Sequence, residues 1–179
     1  MDSVWWLPKK HPDLSQEDVF KGIPVWVAIP PVVFIQKQTF SGNQTAWVES
    51  SNPIADADGF KHLLARAREV VCIVLTHDCQ LDKAKKKVRV QVAVASDVNA
   101  LSSEERSVVM NQRSLSMLVL PNIPQLGTYY ADMRLIFTVD KRLLIESMRI
   151  ASMTEQAKLR VQNQLIAYFS DRARPDSSS

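Results

Sequence analysis

The stretch from Val70 to Ser96, "VVCIVLTHDCQLDKAKKKVRVQVAVAS", constrains the fold more tightly than any other part of the chain. Its opening residues, Val70 to Leu75, form a near-continuous apolar run rich in β-branched side chains, the composition of a short strand covered on both faces. Its closing residues alternate Val88, Val90, Val92 and Val94 with Arg89, Gln91, Ala93 and Ala95, the period of two of a strand with one buried face. Two strands this strong place a β-sheet at the centre of the molecule. The polar connection between them is pushed to the surface.

The rest of the sequence supplies partners for that sheet. "IPVWVAIPPVVFI", punctuated by Pro24, Pro30 and Pro31, reads as a strand broken by a bend at a sheet edge, and "TAWVES" as a short strand in a hairpin or surface loop. "LSMLVLP", "TYYADMRLIFTVD" and "KRLLIES" are three further strand candidates. A helix is expected over "DADGFKHLLARAR", where Phe60, Leu63, Leu64 and Ala67 fall at i, i+3, i+4 and i+7. "SSEERSVVMNQ" offers Ser102 or Ser103 as a helix cap with acidic residues in the first turn. "MTEQAKLRVQNQLIAYFSDR" lines Ala157, Val161, Leu165, Tyr168 and Phe169 on one stripe behind a Thr154 cap. In "LSQEDVFKG", Ser15 and Asp18 predict one capped helical turn ending at Gly22, and Trp5 and Trp6 are expected to pin an aromatic pair onto the core.

Strands that cluster rather than alternate with helices indicate an α+β protein: a small curved antiparallel sheet or barrel with packed helices, including a C-terminal helix. A doubly wound parallel sheet is the alternative. A length of 179 residues suits one core, so a single domain is expected over residues 1–172, with residues 173–179 as a disordered tail.

A balance of 22 Lys and Arg against 19 Asp and Glu, a formal charge of +3, is too weakly basic to mark a nucleic-acid protein by itself. Four scattered glycines rule out a Rossmann fingerprint and a Walker loop. No apolar run reaches the roughly 18 to 20 residues of a spanning helix, and the N-terminal sequence lacks a signal-peptide core. The expectation is therefore no membrane and a cytoplasmic location, where Cys72 and Cys79 remain thiols. No cofactor and no metal are expected, because His11, His62, His77, Asp78 and Cys79 include neither a CxxC nor an HxxxH pair.

If Thr76 to Gln80 continue the strand, His77 and Cys79 share a face while Asp78 points the other way. A His beside a thiol can lower its pKa, so Thr76, His77, Asp78 and Cys79 form a candidate catalytic cluster with Cys79 as nucleophile. The competing reading is that Thr76, Asp78 and Cys79 satisfy backbone groups where the strand turns. Cys72 reads as a core residue. Lys83, Lys85, Lys86, Lys87 and Arg89 are candidate nucleic-acid contacts, and a solvated hairpin tip explains them too.

The pieces "VLTHDCQL", "YYADMRLIFTVD" and "RIASMTEQAKLRVQNQLIAYF" together resemble a group of small bacterial and phage proteins. In that group an apolar strand ends in a Thr-x-x-Cys-Asp-Leu signature, followed by a Tyr-x-Asp-Leu-Arg strand and a closing helix; Gln80 stands here where the pattern carries Asp. More distantly, "ARAREVVCIVLTHDCQLDKAKKKVRVQVAVASDV" resembles the central hairpin of the MazF and PemK toxin family, SH3-like barrels that cleave RNA. That resemblance implies an SH3-like barrel with Arg68, or Arg66 in its place, and Thr76 as catalytic positions. The Arg would stabilise phosphorane-like charge and the Thr would help orient the attacking 2′-OH.

Fold-level likeness does not transfer function. The expected function is thus a non-catalytic binding module of a bacterial or phage conflict or defence system, engaging a protein or a nucleic acid, RNA before DNA, through barrel loops. The alternative is a MazF/PemK-like endoribonuclease. Four tryptophans and the proline-broken strand suit a homodimer interface as well as a core, so a homodimer stays open.

Overall fold

The computed structural model describes residues 5–26, 33–39, 44–51, 62–64, 67–77, 81 and 89–172, with residues 26, 33, 34, 62–64 and 172 described by backbone alone. In chain order the strands are β1 (Val19–Trp26), β2 (Val33–Thr39), β3 (Thr45–Glu49), β4 (His62–Leu64), β5 (Ala67–Val74), β6 (Arg89–Asp97), β7 (Met117–Ile123), β8 (Gly127–Asp140) and β9 (Arg149–Ala151). The helices are α1 (Ser103–Met110) and α2 (Glu155–Arg172). The chain divides into two compact units, Met1–Ile23 with Glu69–Ser179, and Pro24–Arg68. The smaller unit holds a three-stranded sheet, β3-β2-β4, in which β2 pairs antiparallel with both neighbours.

The larger unit is α+β, with a six-stranded sheet in the order β7-β8-β6-β5-β1-β9. The pairs β1–β9, β5–β6, β6–β8 and β7–β8 are antiparallel. The two strongest runs in the sequence pair directly, with Val71 opposite Ala95 and Val74 opposite Val92. One face of these strands carries Ile73, Leu75, Ala93 and Ala95 and packs with Ala157, Val161 and Tyr168 of α2. The other carries Cys72, Val74, Val90 and Val92 and packs with Phe20, Ile23, Leu81 and Leu144. Both faces are buried, as a continuous apolar run requires.

The sheet is open. β7 and β9 are its outer strands and no ladder joins them, so no barrel is shown. The N-terminal arm touches both edges instead: Trp6 forms a bridge with Met153 just beyond β9, and its Nε1 donates to the Pro121 carbonyl on β7 at 2.7 Å. Leu7 N donates to Ser152 O and Thr154 N to Trp5 O, which holds the arm along the β9–α2 junction. Trp5 is buried in the core facing α2, with the Arg160 guanidinium 5.5 Å from its ring centroid. Trp6 thus links outer strand β7 to the segment just past β9.

Several elements form as their sequences predict. Ser102 caps α1 and Glu105 completes a reciprocal capping box. Thr154 Oγ1 accepts Ala157 N at the start of α2, and Ala157, Val161 and Tyr168 are buried. Phe169 departs from its stripe and is 53% exposed, because it lies one residue, about 100°, around the helix from Tyr168. "KRLLIES" is not a strand but two 3-10 turns, Lys141–Leu143 and Glu146–Met148. The Asp140 carboxylate accepts Arg142 N and so ends β8 in a cap.

The helix expected over "DADGFKHLLARAR" also gives way where the chain is described. His62–Leu64 is a strand in register with Val33–Ile35, and β5 begins at Ala67. Ladder hydrogen bonds to a distant strand override a weak local helical period. The "LSQEDVFKG" segment forms a tight turn rather than a helical one: Asp18 N donates to Ser15 O, Ser15 N donates to Asp18 Oδ2, and β1 starts at the next residue. Glu17 N donates to Val74 O while Val74 N donates to Asp18 O, the two-against-one count of a β-bulge, with Glu17 buried at φ 62°.

Arg149, at the start of β9, ties these pieces together. Its Nη1 donates to Asp18 Oδ2 at 2.9 Å and to the Asp13 carbonyl, and its Nη2 donates to the His11 carbonyl and pairs with Glu146. The Arg149 and Asp18 side chains are 2% and 0% exposed. Removing one member of a buried pair strands the other charge, whereas removing both does not. Asp18→Ala is expected to cost about 3–5 kcal/mol by urea denaturation. Asp18→Leu combined with Arg149→Met should cost clearly less than the sum of the single substitutions. Simple additivity would show that the pair is not a coupled unit.

Candidate functional site

Thr76 lies just beyond β5 and is buried. After Leu75 N donates to Gln91 O at 2.8 Å, Gln91 N donates to Thr76 Oγ1 at 2.7 Å, so the hydroxyl adds a side-chain rung to the β5–β6 ladder. His77 is exposed, and its carbonyl accepts Leu81 N. Arg68 is exposed near the start of β5, and Arg89 is exposed at the start of β6. Asp78, Cys79, Lys83, Lys85, Lys86 and Lys87 lie outside the described residues. Arg68 falls in the smaller unit and Thr76 in the larger one. Thr76 is brought against Gln91.

A different pair of residues is assembled on β8. Opposite β6, the register jumps from Ala93↔Ile136 to Val94↔Asp132, which leaves Met133, Arg134 and Leu135 outside the ladder. Bulged residues are free to aim a side chain that regular pleating would fix. Here the Asp132 carboxylate sets that aim. Its Oδ1 accepts Arg134 N and Arg134 Nε, each at 2.9 Å, and its Oδ2 accepts Arg134 Nη2 at 2.8 Å. The Asp132 side chain is 9% exposed and Arg134 is 51% exposed, so a buried carboxylate holds a half-exposed guanidinium by two parallel bonds. Those side-chain bonds, above all, raise the Arg134 pKa further; burial opposes them, and the charge of Asp132 adds to the rise.

Arg134 borders an open cleft of about 350 Å³ between the sheet and the end of α2. Leu75, Met133 and Ile136 contribute apolar wall from the sheet, and Leu165, Tyr168 and Phe169 contribute it from α2. Gln91 adds an amide side chain to its lining. Tyr168 and Phe169 meet edge to face with ring centroids 5.3 Å apart. The cleft walls are cross-braced: Gln16 Nε2 donates to Leu75 O, and Lys158 Nζ on α2 donates to Ser15 Oγ in the adjoining turn.

A second Asp-x-Arg clasp provides an internal comparison. Arg142 N and Nε donate to Asp140 Oδ1 at 2.9 Å, and Nη2 donates to Oδ2 at 2.6 Å. That arginine is 80% exposed at the end of β8 and does not line the cleft. The clasp is thus a property of the local sequence. The bulge and the neighbouring α2 make only the first one part of a concave surface.

Asp132 and Arg134 are the Asp and Arg of the Tyr-x-Asp-Leu-Arg strand, but the sequence reading assigns them no site role. The available signal is opposite charges two apart in "YYADMRLIFTVD", which a regular strand would place on one face. Among the described residues, no group of three or more His, Cys, Asp or Glu is placed to hold a metal ion. No helix among them is long and apolar enough to cross a membrane. No family model, curated protein or solved structure matches the chain.

Cys72 sits fully buried in the core, and burial pushes its thiol from an ordinary 9.0 up to about 12. The folded state therefore favours the protonated thiol. This contribution to stability is complete below about pH 9.0 and is lost as pH rises toward about 12. In a Cys79→Ser background, Cys72 is expected not to react with a thiol reagent at pH 8 until the protein is unfolded. Prompt labelling of native protein would contradict the burial.

Proposed function

We propose that the chain is a binding module that recognises a protein or nucleic-acid partner at the cleft beside Arg134, without chemistry of its own. The observation that carries this reading is the Asp132 clasp at the β8 bulge. A free arginine side chain has about 2 kcal/mol of rotamer entropy to lose on binding. A guanidinium already fixed by a buried carboxylate loses less, which is what a pre-organised recognition site needs. The apolar walls and the Tyr168–Phe169 pair supply the anchor surface around it.

The finer fold reading, an SH3-like barrel, draws support from Trp6 linking outer strand β7 to the segment just past β9. The ribonuclease alternative asks Arg68 and Thr76 to serve one phosphate. The Gln91 backbone N–H donating to Thr76 Oγ1, which commits that hydroxyl to the β5–β6 ladder, counts against it.

The test is incubation with a pool of single-stranded and structured RNA at low salt, scoring retention and cleavage together. Retention without cleavage is expected, weakened roughly tenfold in Arg134→Ala, about 1.4 kcal/mol. Arg142→Ala, which removes the equivalent clasp away from the cleft, should bind like the parent. If the pool is not retained, a protein partner is indicated. Cleavage that disappears in Arg68→Ala or Thr76→Ala would replace the binding module with a ribonuclease.

A further inference from the structure

Resting on the binding-module reading, we propose that the cleft takes a nucleobase, a planar heteroaromatic ring, with its attached phosphate directed along β6 to Arg89. Asp132 answers much of the charge on Arg134, so the site is a poor trap for an isolated anion. The clasp leaves the guanidinium plane fixed and half exposed, and together with the exposed ring of Phe169 it offers the flat surfaces on which unpaired bases stack. The lining residues from α2, Leu165 to Phe169, belong to its last two turns.

The polar groups fit the same occupant. The Gln91 amide offers both a donor and an acceptor, matching the mixed edge of a base. Arg89 lies two residues along the same strand and hence on the same face, about 6.6 Å away, at the reach of a phosphate joined to that base through its sugar. A carboxylate ligand would meet an Arg134 already partly neutralised by Asp132. A volume of about 350 Å³ is at the small end for ligand pockets and suits one ring.

The experiment titrates the full chain with AMP, GMP, CMP and UMP, with adenosine, and with ten-nucleotide rA and rU strands, followed by calorimetry and amide NMR shifts. Phe169 and Gln91 are both exposed, so Phe169→Leu and Gln91→Ala should leave the fold intact, which the NMR spectrum checks. Phe169→Leu is expected to weaken binding at least fivefold, about 1 kcal/mol, the lower end for base–aromatic stacking. Arg89→Gln should weaken AMP while leaving adenosine unchanged. Mononucleotides that bind as tightly as the strands identify a free nucleotide as the source; binding of the strands alone identifies an unpaired base. No binding of any probe by the parent at millimolar concentration overturns the nucleobase assignment, as does binding indifferent to both Phe169→Leu and Gln91→Ala. Neither of those results touches the binding module itself, which fails only if Arg134→Ala leaves retention unchanged or if cleavage depends on Arg68 or Thr76.

Discussion

The buried pair of Arg149 and Asp18 is the constraint on which the larger unit is built. One guanidinium gathers the carbonyls of His11 and Asp13 and the carboxylates of Asp18 and Glu146, so arm, turn and strand β9 are fixed at one point. Burial is the largest single influence on this arginine and lowers its pKa, but the bonds and charges of Asp18 and Glu146 outweigh it and the net shift is upward. The turn that presents Asp18 also places Glu17 in the left-handed region, at a cost on the order of 1–2 kcal/mol. The fold retains that strained bulge because the Asp18 carboxylate it positions faces Arg149.

From that anchor the geometry runs outward to the cleft. The Ser15–Asp18 turn is bonded to Leu75 through Gln16 and to α2 through Lys158, so the end of β5 and the helix are held against each other. The arm, fixed by Arg149 at its far end, reaches across to β7 through Trp6. A sheet whose outer strand β7 is tied by the arm to the segment just past β9 leaves α2 only one face to cover. Beyond its last apolar contacts that face is uncovered, and there Gln91 and Arg134 border the cleft.

Much of the central sheet was legible because it rests on local patterns that tertiary structure had no reason to override. The β-branched run and the alternating valines could only be buried by pairing, and they pair with each other. The caps of α1 and α2 were legible for the same reason, since Ser102 and Thr154 act within one turn. The failures fall where a distant strand or an adjacent side-chain cap overrode the local period. His62–Leu64 has helical spacing yet joins β2, and the strand-like "KRLLIES" is turned aside by the Asp140 cap. The site was less legible still: Thr76 was singled out correctly as a residue at a strand end, but whether its hydroxyl served the backbone depended on the register that brings it to Gln91. Asp132 and Arg134 stand in the sequence as part of a strand signature, but their clasp was not legible because its significance depends on three residues leaving a ladder.

That departure is itself informative about what the site selects. Excluding Met133, Arg134 and Leu135 from the β6–β8 ladder leaves backbone groups to be satisfied elsewhere. Met133 N keeps its regular β7–β8 bond to Ser116 O, while Arg134 N finds Asp132 Oδ1, a side-chain acceptor supplied within the bulge itself. The Asp132 carboxylate thus performs two tasks at once, closing the backbone of the bulge and orienting the guanidinium. Replacing it with Asn would keep an oxygen acceptor for the backbone while removing the charge and one arm of the fork. The two tasks are therefore separable by chemistry, and at the second clasp, where Asp140 ends a strand rather than a bulge, only the first has a structural consequence. The same three atoms of recognition geometry at Asp132 and Asp140 differ in use because only one is framed by α2.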